Sequence, residues 1–568
     1  MYTNIELRKR VLMLHSALLT DRSSWDAQWE EIGKQVLPRS VRLTTSDNNK
    51  GSKRYNKIYD NTGVRALRVL AAGMMSGVSS PARPWFKLTI KDKKLSNRDE
   101  VKLWLADVAQ AIRDVFMRSN VYRALHASYE ELGAFGTAVA IIDEDDDSVL
   151  HLHTLTLGEY ALATDHKGRV RTMVRKLPMT VEQLVDAFGK EACSLGVQMA
   201  YNSGNLYQRF DVVHAIFPRR DYDPLKKDAK NKPFASVYIE LTGEEGQVLR
   251  ESGYSRFPVL APRWVTAGTD VYGTSPGMEA LGDCKQLQHE QLRKAEAIDY
   301  QVQPPLQAPT SLARAGLDGR PGGRTYADLA APSGGIRSMF EVNLDLNALR
   351  EDIMDVRQRI NSAFYADLFL MLANDTRSGI TATEVAERHE EKLLMLGPVL
   401  ERLHDELLAP LVEYTFYRLA DMRDANGDPV LPPVPAALRD VDIGIEFVSV
   451  LAQAQRAVGA ASIDRWIATI GSIASMRPEV VDKLNADELA DTYADILGVD
   501  PKLVSPDDQV EQARNARAQQ AAQVQQAQLA EQQAKAAQTL SNTNTTDRNG
   551  LTDMMGQLSG YNTPGVTG

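Results

Sequence analysis

The segment from 276 to 425 constrains the fold of this chain more than any other part of its 568 residues. From Gly277 to about Tyr300, the positions Leu281, Cys284, Leu287 or Gln288, Leu292, Ala295 and Ile298 form one narrow stripe at helical spacing. Gln303-Pro304-Pro305 ends it. An excursion from Leu306 to Phe340 follows, with Gly316, Gly319, Gly322, Gly323, Gly334 and Gly335 along it. Helical spacing resumes from about Leu344 to Leu372, where Leu346, Leu349, Ile353, Val356, Ile360 and Ala363 alternate by three and four in a heptad-like seam. Two long helices flanking an irregular excursion predict a stalk with a tip.

After a polar break, Ala373 to Gly379, a third helix is predicted to start near residue 382, where Thr381 and Glu384 match a capping box. Leu393, Leu396, Leu400, Leu403, Leu407 and Leu411 carry it to about Arg418. Pro398 and Pro410 sit inside this pattern. Each removes a backbone hydrogen bond and crowds the preceding turn, so these two positions predict a kinked rod rather than two separate helices.

The flanks read as mixed structure. Helical spacing runs from Ile5 to Leu19 and resumes around Trp25, Trp29 and Ile32 up to Pro38. Asp60, Asn61 and Thr62 are all competent caps for a helix through Leu67, Leu70 and Met74, whose small face is Ala71, Ala72, Gly73 and Gly77. A strand at Trp85–Ile90, helices over about 98–118 and 122–132, and a strand at Thr137–Ile142 follow. Further strands are predicted at Leu150–Leu155, Ala161–Thr164, Val170–Leu177, Val212–Phe217, Ser236–Leu241 and Val259–Val265, with a short helix at Thr180–Phe188. Ile443–Val448 reads as a returning strand and 451–498 as helical. Residues 508–540, rich in Gln and Ala, are helical by propensity but bury little, and the last 28 residues read as disordered. The fold class is mixed α+β, predominantly helical.

Composition narrows the function. Lys and Arg number 65 against 75 Asp and Glu, a net charge of −10. A protein that grips phosphates usually carries a basic surplus, so any contact with DNA is expected to be loose or confined to a few residues. Cys193 and Cys284 are the two cysteines, without CxxC spacing, which excludes a thiolate zinc cluster and a disulfide framework. No run approaches the roughly 18 apolar residues of a membrane span. The start, Met1 to Glu6, lacks a secretory pattern, so cytoplasmic synthesis is expected.

Motifs of catalysis and metal binding fail on inspection. Gly273-Thr274-Ser275-Pro276-Gly277 matches a nucleophile elbow, yet the elbow needs the N–H of the residue after serine, and Pro276 has none. Ser275-Pro276 reads better as a helix start. His389-Glu390 opens a zincin motif whose second histidine is Leu393. An EF-hand from Asp143 would need Gly at Ser148 and Glu at Thr154, so Asp143 to Asp147 reads as a solvated hairpin tip. His151 and His153 could share a strand face, but a third ligand is missing from the pattern. No nucleotide-binding fingerprint occurs. No cofactor, no metal and no enzymatic activity are expected.

Several strings together resemble a known family. Tyr59-Asp60-Asn61-Thr62-Gly63 with Leu70-Ala71-Ala72-Gly73-Met74-Met75, Ser79-Ser80-Pro81 with Pro84-Trp85-Phe86, and Leu157-Gly158-Glu159-Tyr160 carry the resemblance. So do Tyr272 to Met278, Ala363 to Phe369, Thr381 to Arg388, Glu391 to Leu400 and Ile445-Glu446-Phe447. They are similar, in order from about 1 to 460, to the head-to-tail connecting (portal) proteins of short-tailed double-stranded DNA phages.

The resemblance implies a portal-type subunit with wing, stem, clip and crown regions that assembles as a ring of twelve. Residues 1–275 would be the wing, 276–302 and 342–372 the stem helices, 303–341 the clip and 373–380 a tunnel loop. Residues 381–425 would be the long kinked helix, 426–450 a return to the wing, 451–507 the crown, 508–540 a possible helical barrel and 541–568 a tail. It also implies partners: duplex DNA in the channel, the terminase large subunit as motor, major capsid and scaffolding proteins, and tail adaptor or nozzle proteins, with no membrane. Procapsid nucleation and a place at one capsid vertex of the virion follow. Residues 374–424 hold eleven acidic and six basic side chains, a net of −5, which suits a low-friction wall. Asn374, Asp375, Thr376, Arg377 and Ser378 are the candidate channel residues, with an ordinary exposed loop as the alternative. Arg314, Arg320, Arg324 and Arg337 are the candidate docking residues.

Overall fold

The structure, a computed structural model, describes residues 3–43, 58–92, 95, 98–145, 147–226, 228–307, 337–338, 346–374, 396–423, 427–438, 443–448, 463, 465–474, 477–497 and 507–541. The chain divides into two units, Met1–Gly498 and Val499–Gly568.

The first unit is mixed α+β and mostly helical. Thr3 starts a 33-residue helix, Asn4–Val36: its hydroxyl accepts from the Glu6 N–H, and the Glu6 carboxylate accepts from the Thr3 N–H. Leu7, Val11 and Leu18 of this helix pack on one face of a five-stranded antiparallel sheet, while Trp29, Ile32 and Val36 enter the main core. The strand Phe86–Ile90 (β1) precedes two more pairs of elements, the helices Asp99–Arg118 and Val121–Phe135 and the hairpin of Val139–Asp145 (β2) and Val149–Leu155 (β3). The five-stranded sheet runs Tyr160–Thr164 (β4), Val170–Thr180 (β5), Arg209–Pro218 (β6), Phe234–Glu240 (β7) and Arg250–Tyr254 (β8) in that order. Its other face is covered by Val181–Phe188 and Leu195–Asn202 through Val181, Leu184, Val197 and Ala200.

Two elements of this region were invisible to periodicity. Leu195–Asn202 is barely two turns long, and β8 carries no buried apolar residue. The predicted strand 259–265 is shorter than its pattern, Val259–Leu260 (β9), continued by isolated bridges from Thr137 to Arg263 and from Val265 to Thr274. Pro262 has no N–H to give the ladder.

The remaining elements are long-range closures. Ile443–Phe447 (the last strand) pairs antiparallel with β1, from Phe86 opposite Phe447 to Ile90 opposite Ile443. Trp85 lies stacked between Phe116 and Phe447, at 6.0 and 6.3 Å between ring centres. The helix predicted over 344–372 is two helices, Leu346–Ala363 and Ala366–Asn374. Tyr365 breaks it with φ of 54°, which turns Phe364 fully into the core and sends Phe369 to Gly73. A Cβ on Gly73 would stand 2.1 Å from the Phe369 ring, so the small face predicted on Thr62–Gly77 is the seat for that ring.

Among the described residues of the second unit, the helix Asp507–Ser541 spans the Gln/Ala-rich stretch, with residues 511–535 exposed. Of the predicted tail 541–568, Ser541 is the last residue of this helix and the rest lies outside the described residues.

One buried acid links three elements of the core. Thr156 Oγ1 is shared between the Ser40 carbonyl and Glu131 Oε1, the latter at 2.8 Å. Thr156 Oγ1 is the donor in its bond to Glu131. Burial pushes its carboxyl up to about 8. The folded state therefore holds one more proton than the unfolded chain between about 4.5 and 8. Stability present at pH 4.5 is lost as pH rises through that window, on the order of a few kcal/mol in all. Glu131→Gln is expected to flatten this slope. Urea midpoints measured at pH 5 and pH 8 check it: an equal fall in both proteins would mean that Glu131 is not the titrating group.

Candidate functional site

The stalk begins where glycine permits close approach. A Cβ on Gly277 would meet the Ala134 carbonyl at 2.4 Å, and one on Gly136, at φ of 75°, would meet the Gly273 carbonyl at 2.2 Å. Ser275 is buried. Its hydroxyl donates to the Ala134 carbonyl and accepts from the Met278 N–H, capping the turn Pro276–Glu279. A serine engaged on both sides in this way caps a helix and is not presented as a nucleophile. After Ala280 the first long helix, Leu281–Val302, runs against the second, Leu346–Ala363. The two-residue strands Leu306–Gln307 and Arg337–Ser338 pair antiparallel, bringing the ends of the excursion together.

Asp60 fastens this hairpin to the body. Its carboxylate accepts from Arg357 Nη2 and Nε at 2.7 and 3.1 Å, from the Thr62 N–H and hydroxyl at 2.9 and 2.5 Å, and from Gln291 Nε2 at 3.2 Å. Gln288 completes the joint: its carbonyl accepts from the N–H groups of Tyr59 and Asp60, and its amide donates to the Asp60 carbonyl. Burial works against the charged form of Asp60, but the bonds from Thr62 and Arg357 outweigh it and hold the carboxyl below its ordinary range. The two readings at 287–288 are both buried, with Leu287 in the core and Gln288 in this network. Among the three cap candidates, Asp60 serves the helix start by accepting from Thr62, while Asn61 makes no side-chain cap bond. A cavity of about 660 Å³ opens beside the joint, lined by Tyr59, Asn61, Arg65, Arg357, Asn361 and Leu370 among others.

Among the described residues, the two hairpin helices pack on each other. Ile353, Val356 and Ile360 are buried, whereas Ile298, Tyr300, Val302 and Met354 are 40 to 73% exposed.

A second fastening holds the long helical run 396–421. Arg263 is buried and grips Glu406 through its backbone N–H at 2.9 Å, Nε at 3.2 Å and Nη2 at 2.5 Å. His404 stacks on Phe447 at 3.9 Å. Residues 404–408 form a π turn, with the Ala409 N–H donating to the His404 carbonyl. Pro410 follows directly and Pro398 lies in the helical stretch 396–403, so the run is helical through both prolines.

The sequence-predicted site residues are placed as follows. Asn374 is the last residue of Ala366–Asn374. Asp375, Thr376, Arg377, Ser378, Arg314, Arg320 and Arg324 lie outside the described residues, as does the helix start at Thr381 and Glu384. Arg337 is in the short strand pair. His151 and His153 do share a face, 4.9 Å apart, with His153 bonded to Asp143, and no metal-binding cluster occurs among the described residues. A buried Ser–His pair, Ser236 and His214 at 2.9 Å, has the wrong proton arrangement for catalysis. Arg175 Nε donates to His214 Nδ1, so the proton sits on Nε2, facing the serine that a base would have to deprotonate.

Comparison with known proteins agrees with the family suggested by the sequence strings. A model of the family described as bacteriophage head to tail connecting protein matches residues 8–504. A probable portal protein of Bordetella phage BPP-1 is 54% identical over 554 residues, covering 98% of this chain and 99% of that one. A portal protein of Salmonella phage epsilon15 is 41% identical over 546 residues, covering 96% and 97%. Among solved structures, a chain from the virion of a native gene transfer agent particle aligns at 11% identity over 78% of this chain and 95% of its own, with a TM-score of 0.33. A chain from the neck of the empty particle aligns at 11% over 76% and 92%, also with a TM-score of 0.33.

Replacing Asp60 by Asn leaves Arg357 and the Thr62 N–H without their anion. Because Arg357 is half exposed, the expected cost is about 2 kcal/mol rather than that of a fully buried pair. Hydrogen exchange of full-length protein should speed up in 281–302 and 346–363 but not in the five-stranded sheet. Equal exchange in the hairpin would show that Asp60 does not hold it.

Proposed function

The chain belongs to the bacteriophage head to tail connecting protein family, and we propose that it is the portal of a tailed phage, a ring of copies at one capsid vertex. Through this ring the genome enters during packaging and leaves on ejection. The observation that carries the reading is the projecting hairpin. It is fastened at its root by Asp60 and Gln288 and leaves Ile298, Tyr300, Val302 and Met354 exposed beyond it. A neighbouring copy on either side would bury those faces, and repetition of the contact closes a ring when the rotation allows. Residues 276–302 and 342–372 then act as the stem, 303–341 as the clip, 1–275 as the wing and 451–507 as the crown, in a ring of twelve.

In this reading Arg314, Arg320, Arg324 and Arg337 of the clip dock the terminase large subunit and later the tail adaptor or nozzle proteins. The wing faces major capsid and scaffolding proteins and helps to nucleate the procapsid, which is assembled in the host cytoplasm. Asn374, Asp375, Thr376, Arg377 and Ser378 approach the duplex, with Arg377 as a transient phosphate contact. Pro398 and Pro410 bend the rod that carries them, and 508–540 extends as a barrel. Translocation energy comes from the motor.

Negative-stain microscopy of purified full-length protein should show pierced rings; monomers or fibres would end the portal reading. Within rings, Arg377→Ala should change packaged DNA length or retention while leaving ring formation intact. Unchanged packaging and infectivity would make 374–378 an ordinary exposed loop.

A further inference from the structure

We propose that the two outer flanks of the hairpin recognise each other between copies, with Arg350 of one copy pairing with Asp299 of the next. Nine residues of α-helix make about two and a half turns, so residues nine apart face opposite ways. Arg359 of the second hairpin helix turns toward the first, where it meets Gln286 at 3.5 Å and Asp283 at 3.5 Å. Arg350 therefore faces away from the first helix, and Met354, Arg357 and Asn361 follow it on that side at spacings of four and three. By the same step from Asp283 and Gln286, Leu292 and Ala295 face away from the second helix, and Asp299 and Val302 continue their line. Arg350 and Met354 on one flank, and Ala295, Asp299 and Val302 on the other, are all exposed.

The charges on these flanks are opposite and unmet within one copy. Three and four residues from Arg350 along its helix stand Leu346, Asn347, Ile353 and Met354, none of them an acid. At the same distances from Asp299 stand Ala295, Glu296, Val302 and Gln303, none of them a base. Among the described residues neither side chain takes part in an ion pair or a hydrogen bond. The flank of Arg350 opens at its root into the cavity beside the joint, where Arg65 is a further cation without an ion pair among the described residues. Beside Asp299 stands Glu296, whose exposed pair with Arg293 leaves that flank acidic. The apolar groups divide in the same way, Met354 on one flank and Leu292, Ala295 and Val302 on the other. A surface that complements a different surface of its own chain makes a head-to-tail contact, which repeats, whereas a self-complementary one stops at a pair. The partner that fits is a second copy of this chain. Closure into a ring rests on the portal reading; the contact itself needs two copies.

The test is the assembly of full-length protein, followed by analytical ultracentrifugation over a concentration series. Arg350→Asp and Asp299→Arg each set like charges opposite one another, and each is expected to raise the concentration at which assemblies dissociate roughly tenfold. The double variant restores the pair with its signs exchanged and should return to within about twofold of wild type. Cross-linking locates the contact. Co-expressed chains carrying Arg350→Cys and Asp299→Cys should be joined by a short bifunctional maleimide, and neither chain alone should be, since both native cysteines are buried. Single reversals that assemble like wild type, a double variant no better than the singles, or rings that form without the mixed cross-link would overturn the contact and leave the portal reading standing. Open oligomers that cross-link in the mixed sample would keep the contact and end the ring. A wild-type chain that stays monomeric and gives no cross-link would end both.

Discussion

A carboxylate taken out of water needs donors on nearly every lone pair, and at Asp60 those donors come from three places at once. Thr62 belongs to the helix that Asp60 starts, Gln291 to the first hairpin helix and Arg357 to the second. Meeting the needs of one charge therefore fixes the angle at which a long hairpin leaves the body. Among the described residues, what lies beyond that root is two paired helices and a short strand pair. Such an element buries one seam between its members and has no third layer for its flanks, so its exposed apolar groups follow from its geometry. They call for a neighbour.

The same logic recurs at Arg263. A buried guanidinium must find acceptors, and it finds Glu406 together with the Gly168 and Asp270 carbonyls. Both fastenings join a long helix to the mixed α+β body through an ion pair with one well-buried member. Hydrophobic packing alone would let a helix slide or roll over a smooth apolar bed. An ion pair with several directed hydrogen bonds admits one register.

Much of this was legible in the sequence, for identifiable reasons. Long amphipathic elements declare their period, so the stalk helices, the N-terminal helix and the returning strand at Ile443–Phe447 were all expected near where they lie. The small face around Gly73 announced close packing, though not that Phe369 would fill it. The break at Tyr365 went unseen because a tyrosine at positive φ is imposed by tertiary packing, not by local preference. The joint was hidden for a different reason. Asp60 read as a helix cap, and Arg357 sat among the polar positions of a heptad seam, where a charged residue is ordinary. Only the fold brings residues 60, 288 and 357 together. Glu406 was likewise one acid among eleven in its segment until Arg263 picked it out.

That selection bears on what the long helix offers to solvent. Both arginines of 396–421 are drawn to polar groups of the body, Arg402 to Thr266 and Arg418 to Glu144. Glu401, Asp405 and Asp421 stay exposed. The contacts that fix the helix thus remove its positive charge from the surface and leave acid behind. If this rod lines a passage for DNA, as proposed, this matters more than the net charge of the chain. Each exposed cation along a duplex adds a phosphate contact that must be broken at every step, whereas an acidic surface adds none. A substitution that freed Arg402 or Arg418 from its partner would therefore act twice, loosening the helix and making the surface it presents more adhesive to DNA.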